Sequence, residues 1–169
     1  RGMKPVRVLA GDIGGTKTLL QIAECAKGRC RAVRAQRFDS GAYDGLSSVV
    51  HEFLKGEKSG RIKAACFGIA GPIRETPKGQ SVKVTNLPWE IHARELKRRF
   101  RIPRLQLIND FQAIGYGIEV LGRKDQVVLQ KGKAFRHGPR ALIGAGTGLG
   151  QGILYWQRDH YEPIATEGG

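Results

Sequence analysis

The sequence has little negative charge, few cysteines and no long apolar run. Its 169 residues include 29 Lys and Arg but only 15 Asp and Glu, which gives a formal net charge of +14 at pH 7. No apolar stretch approaches the roughly 20 residues of a membrane-spanning helix. The N-terminus shows no apolar core before a small-residue cleavage site, as a secretory signal would. We therefore expect no membrane partner, and the odd count of three cysteines favours reduced thiols in the cytoplasm.

The cysteine spacing argues against a zinc site and allows one disulfide. Cys25 and Cys30 flank Ala-Lys-Gly-Arg, which predicts a hairpin turn with the two cysteines facing each other across its strands. A disulfide can then form on oxidation. A zinc site is not expected, because no second pair of ligands accompanies them.

The excess of positive charge is spread along the chain. Its densest part, residues 94–104, carries six cations. The sequence has no zinc-finger spacing, no aromatic RNA-binding signature and no convincing helix-turn-helix, so we expect no nucleic-acid partner. Solvated surface accounts for most of the charge, and phosphorylated or polyanionic ligands are the alternative explanation.

Glycine is the residue in excess, and it is clustered. The 24 glycines concentrate at residues 11–15, 68–71, 144–152 and 168–169. Clustered glycine at the ends of strands predicts backbone that approaches a ligand closely.

Apolar patterning predicts an α/β fold that begins with three antiparallel strands. Short connections join the strands predicted over residues 5–10, 18–26 and 30–38. The later elements are a helix over 43–54, a strand buried on both faces over 64–70, a strand over 79–85, a helix over 89–100, a strand over 105–109, a helix over 111–121, and strands over 141–144 and 150–156. Residues 122–139 are basic and aperiodic, which indicates a surface segment. The order predicts a mixed sheet with flanking helices.

The turn between the first two strands is the first candidate site. It contains Gly11, Asp12, Gly14, Gly15, Thr16 and Lys17. Paired glycines let backbone N–H groups approach an anion, and Thr16 and Lys17 add a hydroxyl and an ammonium group. Asp12 would repel a bare phosphate, so its carboxylate predicts Mg²⁺ held directly or through water. The alternative is an ordinary hairpin whose glycines fit its turn.

Residues 144–150 form a second glycine-rich turn. Their spacing is not G-x-G-x-x-G, and a strand rather than a helix follows, so a Rossmann dinucleotide fold is excluded. The turn also lacks the Lys-Ser/Thr pair of a Walker loop. A second phosphate-binding hairpin around Gly146, Thr147 and Gly148 fits better, with an ordinary hairpin as the alternative.

Polar side chains follow two later strands. Asn109 and Asp110 end a buried strand, and the carboxyl ends of such strands line ligand crevices. Asp110 could accept a proton from a substrate hydroxyl, could cap the next helix, or could do both. Asn86 could hydrogen-bond a polyol beside Trp89, or simply belong to a proline-fixed loop. Glu167 carries no signal alone.

Six motifs in order resemble one enzyme family. They are residues 12–18 (DIGGTKT), 67–72 (FGIAGP), 85–89 (TNLPW), 107–111 (LINDF), 144–150 (GAGTGLG) and 166–169 (TEGG). Together they closely resemble the first half of bacterial-type glucokinases, of the actin/hexokinase/Hsp70 superfamily. The resemblance implies a ribonuclease-H-like fold and ATP-dependent phosphorylation of glucose at its 6-hydroxyl, the first step of glycolysis.

The resemblance also implies roles for individual residues. Asp110 becomes the catalytic base, while Asn109 and Glu167 bind sugar hydroxyls. Residues 11–16 become the first phosphate loop, and residues 146–148 the second.

Several expectations about the whole protein follow from the resemblance. We expect residues 1–140 to form the N-terminal lobe of a two-lobed kinase and residues 141–169 to begin a second lobe that this chain does not complete. The expected partners are a sugar and a nucleotide, and a homodimer is allowed. The alternatives are a kinase for another hexose or an acylated amino sugar, a kinase that uses polyphosphate, and an inactive or sugar-sensing module on the same fold. A further alternative is the related branch of sugar kinases and repressors, although residues 109–112 (NDFQ) after the strand resemble the glucokinase branch more closely.

Overall fold

The chain divides into two compact units between Asp110 and Phe111. The computed structural model describes residues 4–58, 61–145 and 149–166. From Phe111 onward the chain packs on its own later strands, with the Phe111 ring against Gly144 and Gly150. The expected lobes, residues 1–140 and the start of a second lobe over 141–169, stay a prediction.

Strands predominate over helices in the described residues. The strands are β1 (Val6–Ile13), β2 (Lys17–Ala26), β3 (Arg29–Asp39), β4 (Ile62–Ile69), β5 (Arg74–Thr76), β6 (Gly79–Lys83), β7 (Glu90–His92), β8 (Arg104–Asn109), β9 (Arg140–Ala145), β10 (Leu149–Gln157) and β11 (His160–Thr166). The helices are α1 (Leu46–Phe53), α2 (Ala93–Phe100) and α3 (Asp110–Ile118), with short 3-10 turns at Ser40–Ala42 and Arg123–Asp125.

A five-stranded mixed sheet organises the first unit. Its order is β3-β2-β1-β4-β8. The first three strands are antiparallel, and β4 runs parallel to both β1 and β8. This arrangement confirms the ribonuclease-H-like α/β class and its antiparallel start. It also brings the carboxyl ends of β1, β4 and β8 to one edge of the sheet.

The core of this unit lies on one face of the sheet, against α1 and α2. Residues at alternate positions of the strands, among them Leu9, Ala65, Phe67 and Leu107, join one cluster with the apolar residues of the two helices. On the opposite face Ala64 and Cys66 are only half-buried. The strand β4, predicted to be buried on both faces, is therefore fully buried on one.

Two predicted helices are shorter than their apolar patterns. Tyr43 and Trp89 fit those patterns, but Tyr43 precedes α1 and Trp89 precedes β7. Both reach the core from irregular backbone, Tyr43 in edge-to-face contact with Phe38 at 5.8 Å. Apolar spacing reports which residues are buried, and here burial continues beyond the helix ends. The third helix likewise ends at Ile118 rather than 121.

Sequence patterning misses three strands. Strands β5 and β7 have three residues each, too few for an alternating pattern, and pair with β6 in a separate sheet. Strand β11 contains Pro163, a residue that is usually depleted in strands.

The second unit combines α3 with the antiparallel sheet β11-β10-β9. The sheet approaches the helix closely, since a Cβ added at Gly150 would overlap the Phe111 ring. On the helix, a Cβ at Gly115 would lie 2.6 Å from Pro163 Cβ. Residues 122–137 are all exposed, as the aperiodic pattern predicted for this segment. None of the described helices is long and apolar enough to cross a membrane.

The three cysteines differ in state. Cys25 and Cys30 are cross-strand neighbours with Cα atoms 4.1 Å apart, and they form a disulfide. The hairpin expected from their spacing brings the two sulfurs within bonding distance, and the pair adopts the oxidised state that this spacing allows. Cys66 is free, and burial raises the pKa of its thiol, which disfavours the reactive thiolate.

Candidate active site

The first glycine turn lies at the carboxyl edge of the five-stranded sheet. The Gly14 N–H donates to the Lys17 carbonyl at 3.0 Å, which closes the turn between β1 and β2. The side chains of Thr16 and Lys17 are exposed. The turn therefore offers backbone, a hydroxyl and an ammonium group to an anion at this edge.

Gly11 and Asp12 lie within β1 rather than in the turn. Asp12 is opposite Leu19 on β2 and Gly68 on β4. At Gly11, an added Cβ would lie 2.5 Å from Phe67 Cδ1. Packing beneath the turn thus accounts for this glycine, while Asp12 presents its carboxylate next to the turn.

Two other segments converge on the turn. A Cβ at Gly15 would lie 3.2 Å from the Thr85 carbonyl oxygen and 3.3 Å from Asn86 Cβ, so residues 85 and 86 pack directly on it. The Thr85 N–H donates to the Ala70 carbonyl at 2.8 Å, and the Ala70 N–H donates to the Ile13 carbonyl at 3.3 Å. The ends of β1 and β4 and the segment after β6 therefore form one edge.

Asn86 and Trp89 take different roles in that segment. Asn86 has a left-handed backbone (φ 62°) and lines an open cleft of about 600 Å³ together with Arg74 and Lys83. Trp89 is 2% exposed, and its indole N–H donates to the Tyr43 carbonyl at 3.1 Å. Trp89 is thus a core residue, whereas Asn86 faces the cleft.

Asn109 and Asp110 reach the same edge from β8. Asn109 is opposite Ile69 of β4, which in turn is opposite Ile13 of β1. Asp110 follows as the first residue of α3, and both side chains are half-buried. Both make interactions within the structure. Asp110 was expected to precede the helix and cap it, but it is the first helical residue, where its charge lies in the first turn. Its chemical role stays a prediction.

The negative charge of Asp110 acts on the Asp12 carboxylate, and strand β4 lies between the strands that carry the two residues. Burial, and secondarily the negative charge of Asp110, raises the pKa of Asp12. A cation between or beside these groups would relieve the repulsion. Among the described residues no group of three or more His, Cys, Asp or Glu side chains could hold a metal. The donor set instead suits Mg²⁺, which usually takes one or two carboxylates and fills its other positions with water and substrate phosphates.

Four predicted site residues lie outside the described residues. They are Gly146, Thr147, Gly148 and Glu167. The flanking strands are described, with Ala145 of β9 opposite Leu149 of β10. The second phosphate turn and the glutamate ligand stay predictions.

Two residues beneath the first turn received no role from the sequence, namely Thr18, which ends the motif over residues 12–18, and Ser40, which lies in no motif. Both are 0% exposed. The Ser40 hydroxyl donates to the Gly14 carbonyl at 3.0 Å, and the Thr18 and Ser40 hydroxyl oxygens are 3.0 Å apart. No motif marks Ser40, because its contact with the turn depends on how β3 pairs with β2.

The mixed sheet, with glycine-rich backbone and carboxylates at one edge, places the chain in the class of actin-like α/β proteins. A family model described as Glucokinase matches residues 9–169. The chain belongs to the glucokinase family.

Individual relatives agree with the family match. The chain is 42% identical over 164 residues to a glucokinase of a Nostoc species, covering 96% of this chain and 47% of that protein. It is 38% identical to a Synechocystis glucokinase, covering 99% of this chain and 49% of that protein. The chain thus spans about half the length of the curated relatives it matches.

Solved structures give the same result. A glucokinase from an Antarctic psychrotroph superposes with a TM-score of 0.80 at 30% identity, over 99% of this chain and 51% of that one. A Balamuthia mandrillaris glucokinase, solved in complex with glucose, shares the fold with a TM-score of 0.64 at 24% identity, over 96% of this chain and 48% of that one.

Proposed function

We propose that the protein carrying this chain is a cytoplasmic enzyme that phosphorylates glucose, with ATP as donor and the sugar 6-hydroxyl as acceptor. The observation that carries the proposal is the common edge at which the Gly14–Lys17 turn, Asp12 and Asp110 meet, in a chain of the glucokinase family. Anion-binding backbone and a carboxylate acceptor for a proton are the two parts that phosphoryl transfer to an alcohol requires.

The donor side of the reaction falls to the first turn. Gly14, Gly15, Thr16 and Lys17 would bind ATP phosphates, and Gly146, Thr147 and Gly148 would supply a second phosphate contact. Asp12 would hold Mg²⁺ directly or through water. When bound, Mg²⁺ supplies positive charge that offsets the charge of the phosphates.

The acceptor side falls to Asp110 and its neighbours. Asp110 would accept the proton of the sugar 6-hydroxyl as that oxygen attacks the terminal phosphorus. Asn109, Asn86 and Glu167 would hold other sugar hydroxyls and so direct the 6-hydroxyl to Asp110. Because the transition state of phosphoryl transfer is loose, most of the rate enhancement comes from such positioning.

The cleft beside Asn86 favours one alternative ligand. Arg74 and Lys83 line it, and two cations at a substrate edge attract anions. Polyphosphate is therefore the second candidate donor, competing with ATP. Inhibition of ATP-dependent turnover by polyphosphate at constant ionic strength would favour it, and turnover with polyphosphate alone would establish it.

The test is a coupled ATP–glucose assay on the purified protein, with its intact mass measured on the same sample. Asp110→Asn is expected to lower kcat by about 10²- to 10⁴-fold, the usual contribution of a general base, with an unchanged circular dichroism spectrum. Asp125→Asn, in the exposed basic segment, is the matched control. Near-normal turnover by Asp110→Asn would refute its role. Turnover at a mass of 18.5 kDa would show that these residues suffice.

A further inference from the structure

Thr18 and Ser40 are the buried polar residues of the described chain, and both lie under the glycine turn. Thr18 is the second residue of β2, and Ser40 directly follows β3. A hydroxyl that loses its water must find hydrogen-bond partners in the protein. The partners of these two hydroxyls are each other and the turn.

Ser40 contacts the turn at two carbonyls. Its hydroxyl donates to the Gly14 carbonyl at 3.0 Å, and its backbone N–H donates to the Thr16 carbonyl at 2.9 Å. Because the Ser40 hydroxyl has one proton, and Gly14 receives it, the Thr18 hydroxyl is the donor in the 3.0 Å contact with Ser40. Thr18 therefore fixes the direction in which Ser40 donates.

These bonds orient the backbone on the opposite side of the turn. In a planar trans peptide, the carbonyl of one residue and the N–H of the next point in opposite directions. Holding the Gly14 carbonyl toward Ser40 therefore directs the Gly15 N–H away from Ser40. Two adjacent glycines would otherwise give the turn the widest choice of backbone conformations.

We propose that Ser40, with Thr18 behind it, is a positioning residue that holds residues 14–16 in their anion-binding conformation. The inference rests on the proposed function and adds a residue that does not itself touch the nucleotide. Preorganised N–H groups contribute to phosphoryl transfer because they need no rearrangement during the reaction.

The variants separate this role from general packing. Ser40→Ala removes the hydroxyl bond to Gly14 while leaving the backbone bond to Thr16. Thr18→Val removes the donor behind Ser40, and Thr18→Ser retains it. Ser48→Ala is the matched control, since Ser48 donates to Asp44 within the α1 region and has no hydrogen bond to the turn.

Two measurements test the proposal. The first is the KM for ATP and for glucose in the coupled assay. Ser40→Ala is expected to raise the KM for ATP about 10-fold, in line with one lost buried hydrogen bond, and to change the KM for glucose less than about 2-fold. The second is the hydrogen-exchange rate of the Gly14 amide without ligand, which donates to the Lys17 carbonyl and closes the turn; loosening the turn should raise this rate at least about 10-fold.

The remaining variants distinguish a positioning role of Ser40 from a packing role. Thr18→Val should shift both quantities in the same direction by less, and Thr18→Ser and Ser48→Ala should match the parent. A lower melting temperature of Ser40→Ala with unchanged KM for ATP and unchanged exchange would reduce Ser40 to a packing residue and overturn the proposal. If the parent protein does not phosphorylate glucose but Ser40→Ala still accelerates Gly14 exchange, the proposed function fails and the restraint on the turn stands.

Discussion

The two units of the chain place their apolar residues in opposite ways. All but two of the buried hydrophobic residues in the described chain belong to the first unit, the exceptions being Leu154 and Tyr161. The large exposed hydrophobic residues show the reverse distribution, since Val6 and Val33 are the ones that belong to the first unit. The first sheet therefore has its own core, whereas the second unit leaves much of its apolar surface in water.

The register of the second sheet explains the difference. Gly144, Gly150 and Gly152 share the face that packs on Phe111 of α3. The other face carries Ile143, Leu149, Ile153, Tyr155 and Ile164, all exposed. Ile153 is directly opposite Ile164 on β11, so these residues are contiguous. A sheet usually buries its apolar face against another layer. In this sheet α3 packs on one face, and the apolar side chains of the other face are exposed to solvent.

The largest effect on stability is expected at the core of the first unit. Trp89→Ala should lower the free energy of unfolding by about 3–5 kcal/mol, because it leaves a large cavity and an unpaired Tyr43 carbonyl. Trp89→Phe should cost less, since it keeps most of the volume. Leu129→Ala, at a side chain 95% exposed in the second unit, should stay within about 0.5 kcal/mol. Urea unfolding measures all three, and equal effects of Trp89→Ala and Leu129→Ala would contradict the comparison.

A smaller effect is expected at the close contact inside the second unit. Gly150→Ala places a methyl group against the Phe111 ring and should destabilise by about 1–3 kcal/mol. Gly117→Ala is the matched control, because an added Cβ meets no atom within 4 Å. Helix propensity should make that variant more stable by up to about 1 kcal/mol. Hydrogen exchange of β10 amides reports both, and protection of β10 that survives Gly150→Ala would show that α3 does not pack as described.

A still smaller effect is expected at the candidate site, with a definite pH dependence. The pKa of Asp12 is raised in the folded protein above the ordinary value of 3.8. The folded state therefore binds this proton more tightly than the unfolded state. The ionised carboxylate opposes folding at neutral pH, and this penalty disappears as the pH falls through the raised pKa.

Asp12→Asn should thus increase the free energy of unfolding at pH 7, by less than about 1 kcal/mol because water screens an accessible group. The gain should vanish near pH 3.8. Thermal unfolding between pH 3 and 7 provides the measurement, and a stability loss at pH 7 would mean that Asp12 is held by favourable partners.

The smallest effect on stability is expected on the open face of the second sheet. Ile153→Ser should change the free energy of unfolding by less than about 0.5 kcal/mol, since the side chain is 45% exposed. The same change should reduce self-association, because exposed contiguous apolar surface promotes it. Sedimentation velocity at several concentrations tests this, with Val33→Ser on the first unit as control. Equal self-association of the two variants would show that this face does not promote self-association more than the first unit does.

Local patterns predicted the parts of the site that lie within single segments. Alternating apolar residues located β1, β2 and β3, and the glycine pair marked the turn that follows β1. The Asn109-Asp110 pair was recognisable because it ends an apolar strand. Each of these signals depends on residues within a few positions of one another.

Contacts between distant segments were not predictable in the same way. Tyr43 and Trp89 were assigned to helices because burial imitates helical spacing. Strands β5 and β7, which pair with β6, have only three residues each, so their sequences show no recognisable alternation. The contact of Ser40 with Gly14 requires β3 to pair with β2 in one particular register. No sequence feature near Ser40 predicts that register.

Residue types alone thus specified the α/β class, the antiparallel start and the chemical groups of the candidate site. Their periodicity and their glycines constrain the local backbone directly. Tertiary structure decided which of these groups meet. Asp12 and Asp110 share an edge because β4 lies between their strands and runs parallel to both. Likewise, Ser40 contacts Gly14 because β2 places the end of β3 beside the turn. Strand order rather than distance along the sequence determines which atoms are neighbours.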